Sequence, residues 1–184
     1  MDEGVRLTEL VAARMCHDLS GLLGSLLGMV ELLAEEVGET EAVSISTDAA
    51  NALILRLTLL RAAWAGQPEL LDLPRLAALA HGLSRRRVAL DLSGLPETTV
   101  FPAAMGRLVL NLLLLAAESV PQGGVLRLDG GANDLIARLV GPNAAWPAGL
   151  IGMLADGATA QQALDSPRTV LPPLTALCGA ATMA

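Results

Sequence analysis

The chain has 184 residues, of which 53% are hydrophobic and only 17% charged, so it can build one cored domain or two small ones and is not a disordered segment. Its net charge is −7, all twelve cationic side chains are arginine, and its aromatic residues are two tryptophans and one phenylalanine. So acidic and ring-poor a surface argues against nucleic-acid binding, and the lack of lysine excludes a P-loop or Schiff-base chemistry. The longest apolar stretches, residues 108–117 and 19–30, are broken by Asn111 or bounded by Asp18 and Glu31. Both fall short of the ~20 apolar residues a spanning helix needs, and no membrane contact is expected. The start, Met-Asp-Glu-Gly, carries no basic leader region, which fits a cytoplasmic location. Cys16 and Cys178 form no metal or redox spacing and are expected to be small buried thiols.

Along residues 6–37, apolar side chains recur at Leu7, Leu10, Val11, Met15, Leu19, Leu22, Leu23, Leu26, Val30 and Leu33, the spacing of an amphipathic helix. Gly38 supplies its stop. A second helix is expected over 41–65, with Ala49, Leu53, Leu57, Leu60 and Trp64 on its apolar side, ended by Gly66-Gln67-Pro68. Two long helices joined by a short turn make an antiparallel hairpin. A lone hairpin cannot bury both apolar faces, so a second copy is expected to complete a four-helix bundle by two-fold symmetry.

Beyond Pro68 the pattern changes. Residues 74–83 predict a helix with proline in its first turn, and 88–92 a short strand. Residues 102–120 predict a strongly apolar helix stopped by Pro121 and Gly123-Gly124. The stretches 125–128 and 135–140 alternate around Asp129-Gly130-Gly131, a hairpin signal, and 147–155 and 170–181 predict further helices. The expected fold is α+β: a helical hairpin over 1–66, then over 67–184 a sheet covered by helices on one face.

The segment Cys16-His17-Asp18-Leu19-Ser20-Gly21 carries the chemistry. On a helical wheel His17 lies about 200° from Leu19 and faces outward. Arg14, Ser20, Gly21, Gly24 and Gly28 are expected on the same outer face, as a docking surface for a partner. Glycine inside a helix costs about 1 kcal/mol relative to alanine, so three on one exposed stripe need an explanation, and close approach of another globule supplies one. The plain alternatives are a solvated surface histidine and small residues that let helices pack. Spacing alone leaves both open. Asp18 adds little by position, since sequential neighbours on a helix do not face each other.

His17-Asp18-Leu19, followed by small residues and by Glu31-Leu32-Leu33, resembles the phosphoacceptor box of histidine kinases. The whole chain is similar to ChpT-type histidine phosphotransferases, with Arg107 to Glu118 resembling that family's long helix. Family members commonly carry proline five residues after the histidine, where this chain has Leu22. The resemblance implies a dimeric hairpin bundle joined to a degenerate histidine-kinase ATPase domain, here an α/β sandwich. It implies that His17 passes a phosphoryl group between receiver-domain aspartates, those of a hybrid kinase and of response regulators, in either direction. Asp18 would orient or deprotonate the ring, and Mg²⁺ would come from the receiver, with no metal or cofactor bound by this chain. An unperturbed pKa of about 6.5 leaves imidazole a free lone pair for this chemistry. By its helical position, Arg14 is a candidate to steady the phosphoryl oxygens.

Two other functions compete, a non-catalytic dimeric scaffold and an ATP-dependent histidine kinase. Against the kinase, Asn111 matches the asparagine that helps hold Mg²⁺ in such enzymes, but the strand 135–140 runs into Gly141-Pro142-Asn143 with no carboxylate for adenine. Asp129-x-Gly131 precedes that strand instead of following it, and no glycine-rich lid is present. Asn111 is then expected to be half-buried and hydrogen-bonded to backbone or water. His81 is expected to be a structural or surface residue, and Arg85-Arg86-Arg87 to complement a helix end.

Overall fold

The structure, a computed structural model, describes residues 3–34, 39–65, 69–83 and 88–183. Gly38, Gly66-Gln67-Pro68 and Arg85-Arg86-Arg87 lie outside the described residues. Helix α1 (Glu3–Ala34) runs without a break through Leu22, which keeps the backbone N–H that a proline would lack. Helix α2 (Glu39–Trp64) packs back along it as a hairpin, so that Asp18 and Arg56, equally far from the turn, meet.

The rest of the chain is α+β. Strand β1 (Leu71–Asp72) pairs antiparallel with β3 (Val100–Phe101), and Asp72 caps helix α3 (Leu73–Ala80) by accepting from the Arg75 N–H at 2.8 Å. After a 3₁₀ turn at His81–Leu83, strand β2 (Val88–Gly94) runs parallel to β4 (Gly124–Gly130), which pairs antiparallel with β5 (Leu135–Val140). The parallel pair is joined by helix α4 (Ala103–Ser119). Short helices α5 (Leu150–Ala155) and α6 (Gly157–Gln162) lead to α7 (Leu171–Met183). The β4–β5 turn opens on Gly130 at φ 104°, a conformation that side chains resist.

Period two decides the faces of the sheet. Leu126 and Leu128 point to the core, while Arg127 and Asp129 point outward, where Asp129 pairs with Arg127 at 2.9 Å and with Arg138 at 3.1 Å. Helix α4 is buried along most of its length and packs on α7 and α2. One core joins Leu59, Leu60 and Ala63 of α2 to Leu76, Phe101, Leu113 and Leu126. The pairing of β1 with β3 and helix α6 escape a sequence reading, because two residues show no period and α6 has no apolar stripe. Its start is fixed instead by the Asp156 side chain, which accepts from the N–H groups of Ala158 and Thr159.

Much of the hairpin's apolar surface stays uncovered within one chain: Leu23, Leu27 and Val30 of α1 and Val43, Ile45, Ile54 and Leu57 of α2 are exposed. The stretch Val43–Trp64 is long and apolar enough to cross a membrane by length and composition, unlike the shorter runs 19–30 and 108–117. Exposed apolar area of this kind is uncommon on the surface of a chain that stands alone.

Candidate functional site

His17 sits near the middle of α1 with its side chain 67% exposed. Ser20, Gly21 and Gly24 follow on the same side and are exposed, and Gly28 is partly so. A Cβ added at Gly21, Gly24 or Gly28 would meet no atom within 4 Å, so none of these glycines is required by packing inside the chain. The Ser20 hydroxyl donates to the Cys16 carbonyl at 2.7 Å, and that of Ser25 to Gly21 at 3.0 Å, which ties both side chains back onto the helix. The stripe beside His17 is therefore low and smooth.

Asp18, next in the chain, turns the other way. Its side chain is only 3% exposed, between α1 and α2. Oδ2 accepts from Arg56 Nη2 at 2.5 Å, Oδ1 accepts from Arg14 Nε at 3.0 Å, and Oδ1 also lies 3.5 Å from His17 Nδ1. Burial by itself would raise the Asp18 carboxyl, but the Arg56 guanidinium, with Arg14 and the His17 contact behind it, outweighs burial and holds it below the ordinary carboxylate value. The site thus keeps a carboxylate 3.5 Å from Nδ1 of a ring that is otherwise mostly open to solvent.

Arg14 departs from the expectation that it shares the outer face. It is 5% exposed and turned into the protein, where it pairs with Asp18 one turn on and with Glu118 near the end of α4. Its Nη1 also reaches toward the carbonyls of Pro167 and Arg168, at 3.5 Å each. Two acids on the inner side draw the guanidinium away from the histidine's open face, and its donors are directed at them. Arg56 and Glu118 complete this cluster and were not singled out as site residues from sequence. The one available signal was an arginine among the leucines of α2, because a cation on a mostly apolar helix needs an acid partner.

Asn111 is fully buried, not half-buried. It accepts from Trp64 Nε1 at 2.9 Å and donates to the Arg107 carbonyl at 2.9 Å, with Cys178 Sγ 3.6 Å away. No water is needed to satisfy it, and it serves to join α2 to α4. Replacing it with leucine is expected to destabilise the fold by about 2 kcal/mol, since the Trp64 indole loses its acceptor, and thermal unfolding checks this. Burial pushes the Cys178 thiol up, only partly offset by Arg107. Cys16, in contrast, is exposed, because it lies on the His17 side of α1. His81 is exposed on the 3₁₀ turn.

Comparison with known proteins bears on the fold and on the C-terminal residues. A solved structure of a bacterial phosphotransferase superposes with a TM-score of 0.77 at 20% sequence identity, covering 97% of this chain and 88% of that one, and so shares its fold. No curated protein matches the sequence. The family model for the histidine phosphotransferase C-terminal domain matches residues 73–182, more than half of the chain. With that match beginning at α3 and taking in the whole three-stranded sheet and its helices, the chain belongs to the histidine phosphotransferase family.

Proposed function

We propose that the protein is a phosphorelay intermediate that receives a phosphoryl group on His17 from one receiver-domain aspartate and passes it to another. The observation that carries this reading is the exposed His17 ring with Asp18 at its Nδ1 and an open glycine stripe beside it. In the forward step the Nε2 lone pair attacks phosphorus. A phosphorus–nitrogen bond forms as the acyl phosphate P–O bond breaks, and the receiver's aspartate leaves as a carboxylate with the electron pair. The ring gains positive charge as it attacks, and the ionised Asp18 faces that charge. A divalent cation held by the receiver would neutralise the phosphoryl oxygens. The rest is positioning by docking.

The uncovered leucine, isoleucine and valine side chains of α1 and α2 support a homodimer built as a four-helix bundle. Light scattering is expected to give a dimer at micromolar concentration, and introducing glutamate at Leu27 and Ile54, both exposed, is expected to give a folded monomer. Docking of a receiver over Ser20, Gly21, Gly24 and Gly28 gives a third expected outcome. Gly24→Arg has room for its side chain, so it should leave the circular dichroism spectrum unchanged while lowering transfer by at least about a hundredfold, as misplaced reacting atoms do. If the protein unfolds instead, the glycines serve packing.

We also propose that the C-terminal unit does not use ATP. Asn111 is engaged with Trp64 and Asp129 is ion-paired on the outer sheet face, so both residues that invite comparison with a nucleotide site have other partners. Calorimetry with Mg-ATP at millimolar concentration is expected to register no binding. The decisive test of the relay itself is transfer of radiolabel from phosphorylated receivers to the chain, with His17→Gln as control.

A further inference from the structure

We propose that Arg56 is a positioning residue for phosphoryl transfer at His17, and that Arg14 extends the same ion network to Glu118, so that the C-terminal unit helps set the histidine's reactivity. The inference rests on His17 being the phosphoacceptor.

Four charges form the network, two arginines and two acids: Arg14 and Asp18 from α1, Arg56 from α2 and Glu118 from α4. The groups facing Asp18 are Arg14 and His17 of its own helix and Arg56 of the next. Arg14 also faces Glu118 and the Pro167 and Arg168 carbonyls. The two carboxylate oxygens have separate duties. Arg56 takes Oδ2, and this leaves Oδ1 pointed at both Arg14 Nε and His17 Nδ1. Without the Arg56 contact the carboxylate is anchored only through Arg14 on Oδ1, and a turn about its last torsion, a broad and soft one, draws that oxygen away from the ring. A carboxylate on Nδ1 selects the tautomer with the proton there and so keeps the lone pair on Nε2, the nitrogen away from Asp18.

A buried ion network is a poor way to gain stability, because desolvation offsets most of the attraction. Its position immediately behind an exposed histidine, and its reach from the hairpin into α4, point to a role in reactivity. Through Arg14, a shift of α4 or of the 167–168 segment changes the donors left for Asp18. A receiver that presses on the C-terminal unit therefore has a physical route to the ring.

The experiment uses the full chain with phosphoramidate as a small phosphoryl donor, which removes receiver docking from the measurement. The Nε2–phosphorus bond forms as the donor's P–N bond breaks, and ammonia leaves. In a His81→Gln background His17 is the sole histidine, and ¹⁵N shifts of its ring report the tautomer. Wild type is expected to hold the proton on Nδ1. Arg56→Gln is expected to shift the ring toward the other tautomer and to slow labelling about tenfold, with Arg56→Lys recovering most of the rate. Glu118→Gln, whose side chain is 27% exposed, is expected to leave the fold intact and to slow labelling about threefold. A folded Arg56→Gln that labels at the wild-type rate with an unchanged tautomer overturns the inference and leaves His17 as acceptor. If Arg56→Gln does not fold, wild-type rate and tautomer in Glu118→Gln overturn it equally. Failure of wild type to take label on His17 is a different result and overturns the phosphoacceptor reading.

Discussion

Changing His17 to glutamine is expected to abolish phosphoryl uptake, with transfer from a phosphorylated receiver falling below detection, while the thermal midpoint stays within a degree or two of wild type. The two halves of that expectation have separate causes. The imidazole is 67% exposed and its nearest polar neighbour is Asp18 at 3.5 Å, a long contact, so its removal costs the fold little. An exposed substitution of this kind usually changes stability by less than about 0.5 kcal/mol. Glutamine has a side chain of similar length but no basic ring nitrogen, and an amide is too weak a nucleophile to replace it. His81 provides the internal control: it is exposed on its 3₁₀ turn, and His81→Gln is expected to leave uptake unchanged. The chemical signature of the label, lost in acid and kept in base, distinguishes phosphohistidine from phosphoserine. Label of that kind in the His17→Gln protein would overturn the assignment.

How far the sequence reveals this site depends on the range of the contact concerned. The outward direction of His17 follows from helical geometry and the apolar seam of α1, both local, and it holds in the structure. The helical hairpin is legible for the same reason, since two long amphipathic periods with a break between them have few ways to fold. Arg14 shows where that logic ends. Its wheel position lies near the histidine's side, but a guanidinium on a long flexible stem is directed by its partners. Those partners are Asp18, four residues away, and Glu118, 104 residues away and brought near only by the packing of α4. Arg56 meets Asp18 across 38 residues for the same reason. Asn111 is a milder case. Its place on an apolar helix suggests partial burial, but complete burial depends on Trp64 closing over it from α2. The exposed Cys16 runs against the usual burial of free thiols, because it lies on the helix face that carries the histidine.

Arg14→Ala is expected to destabilise the protein by about 2–3 kcal/mol, the second large effect. Breaking a buried ion pair by deleting one partner costs about 3–5 kcal/mol when the stranded charge has nothing else. Here Asp18 retains Arg56, and the Glu118 side chain, 27% exposed, regains water, so the lower figure applies. For a chain of this length the thermal midpoint should fall by about 5–10 °C. Arg14→Lys should recover less than half of the loss, because a single ammonium cannot reach Asp18 and Glu118 together as the guanidinium fork does. The pH dependence gives a sharper check. Asp18 is held below the ordinary carboxylate value in the fold, so its contribution is complete above the unfolded pKa of about 3.9 and is lost as pH falls through the lower folded value. Arg14→Ala removes one of the cations that depresses that value. The difference in stability between wild type and variant is therefore expected to be constant from neutral pH down to about 5 and to shrink below about 4, as the carboxyl takes up its proton and no longer needs a cation. A difference that stays constant through that acid range would mean that Arg14 acts by packing its aliphatic stem, and that its pairing with Asp18 contributes nothing to holding the hairpin together.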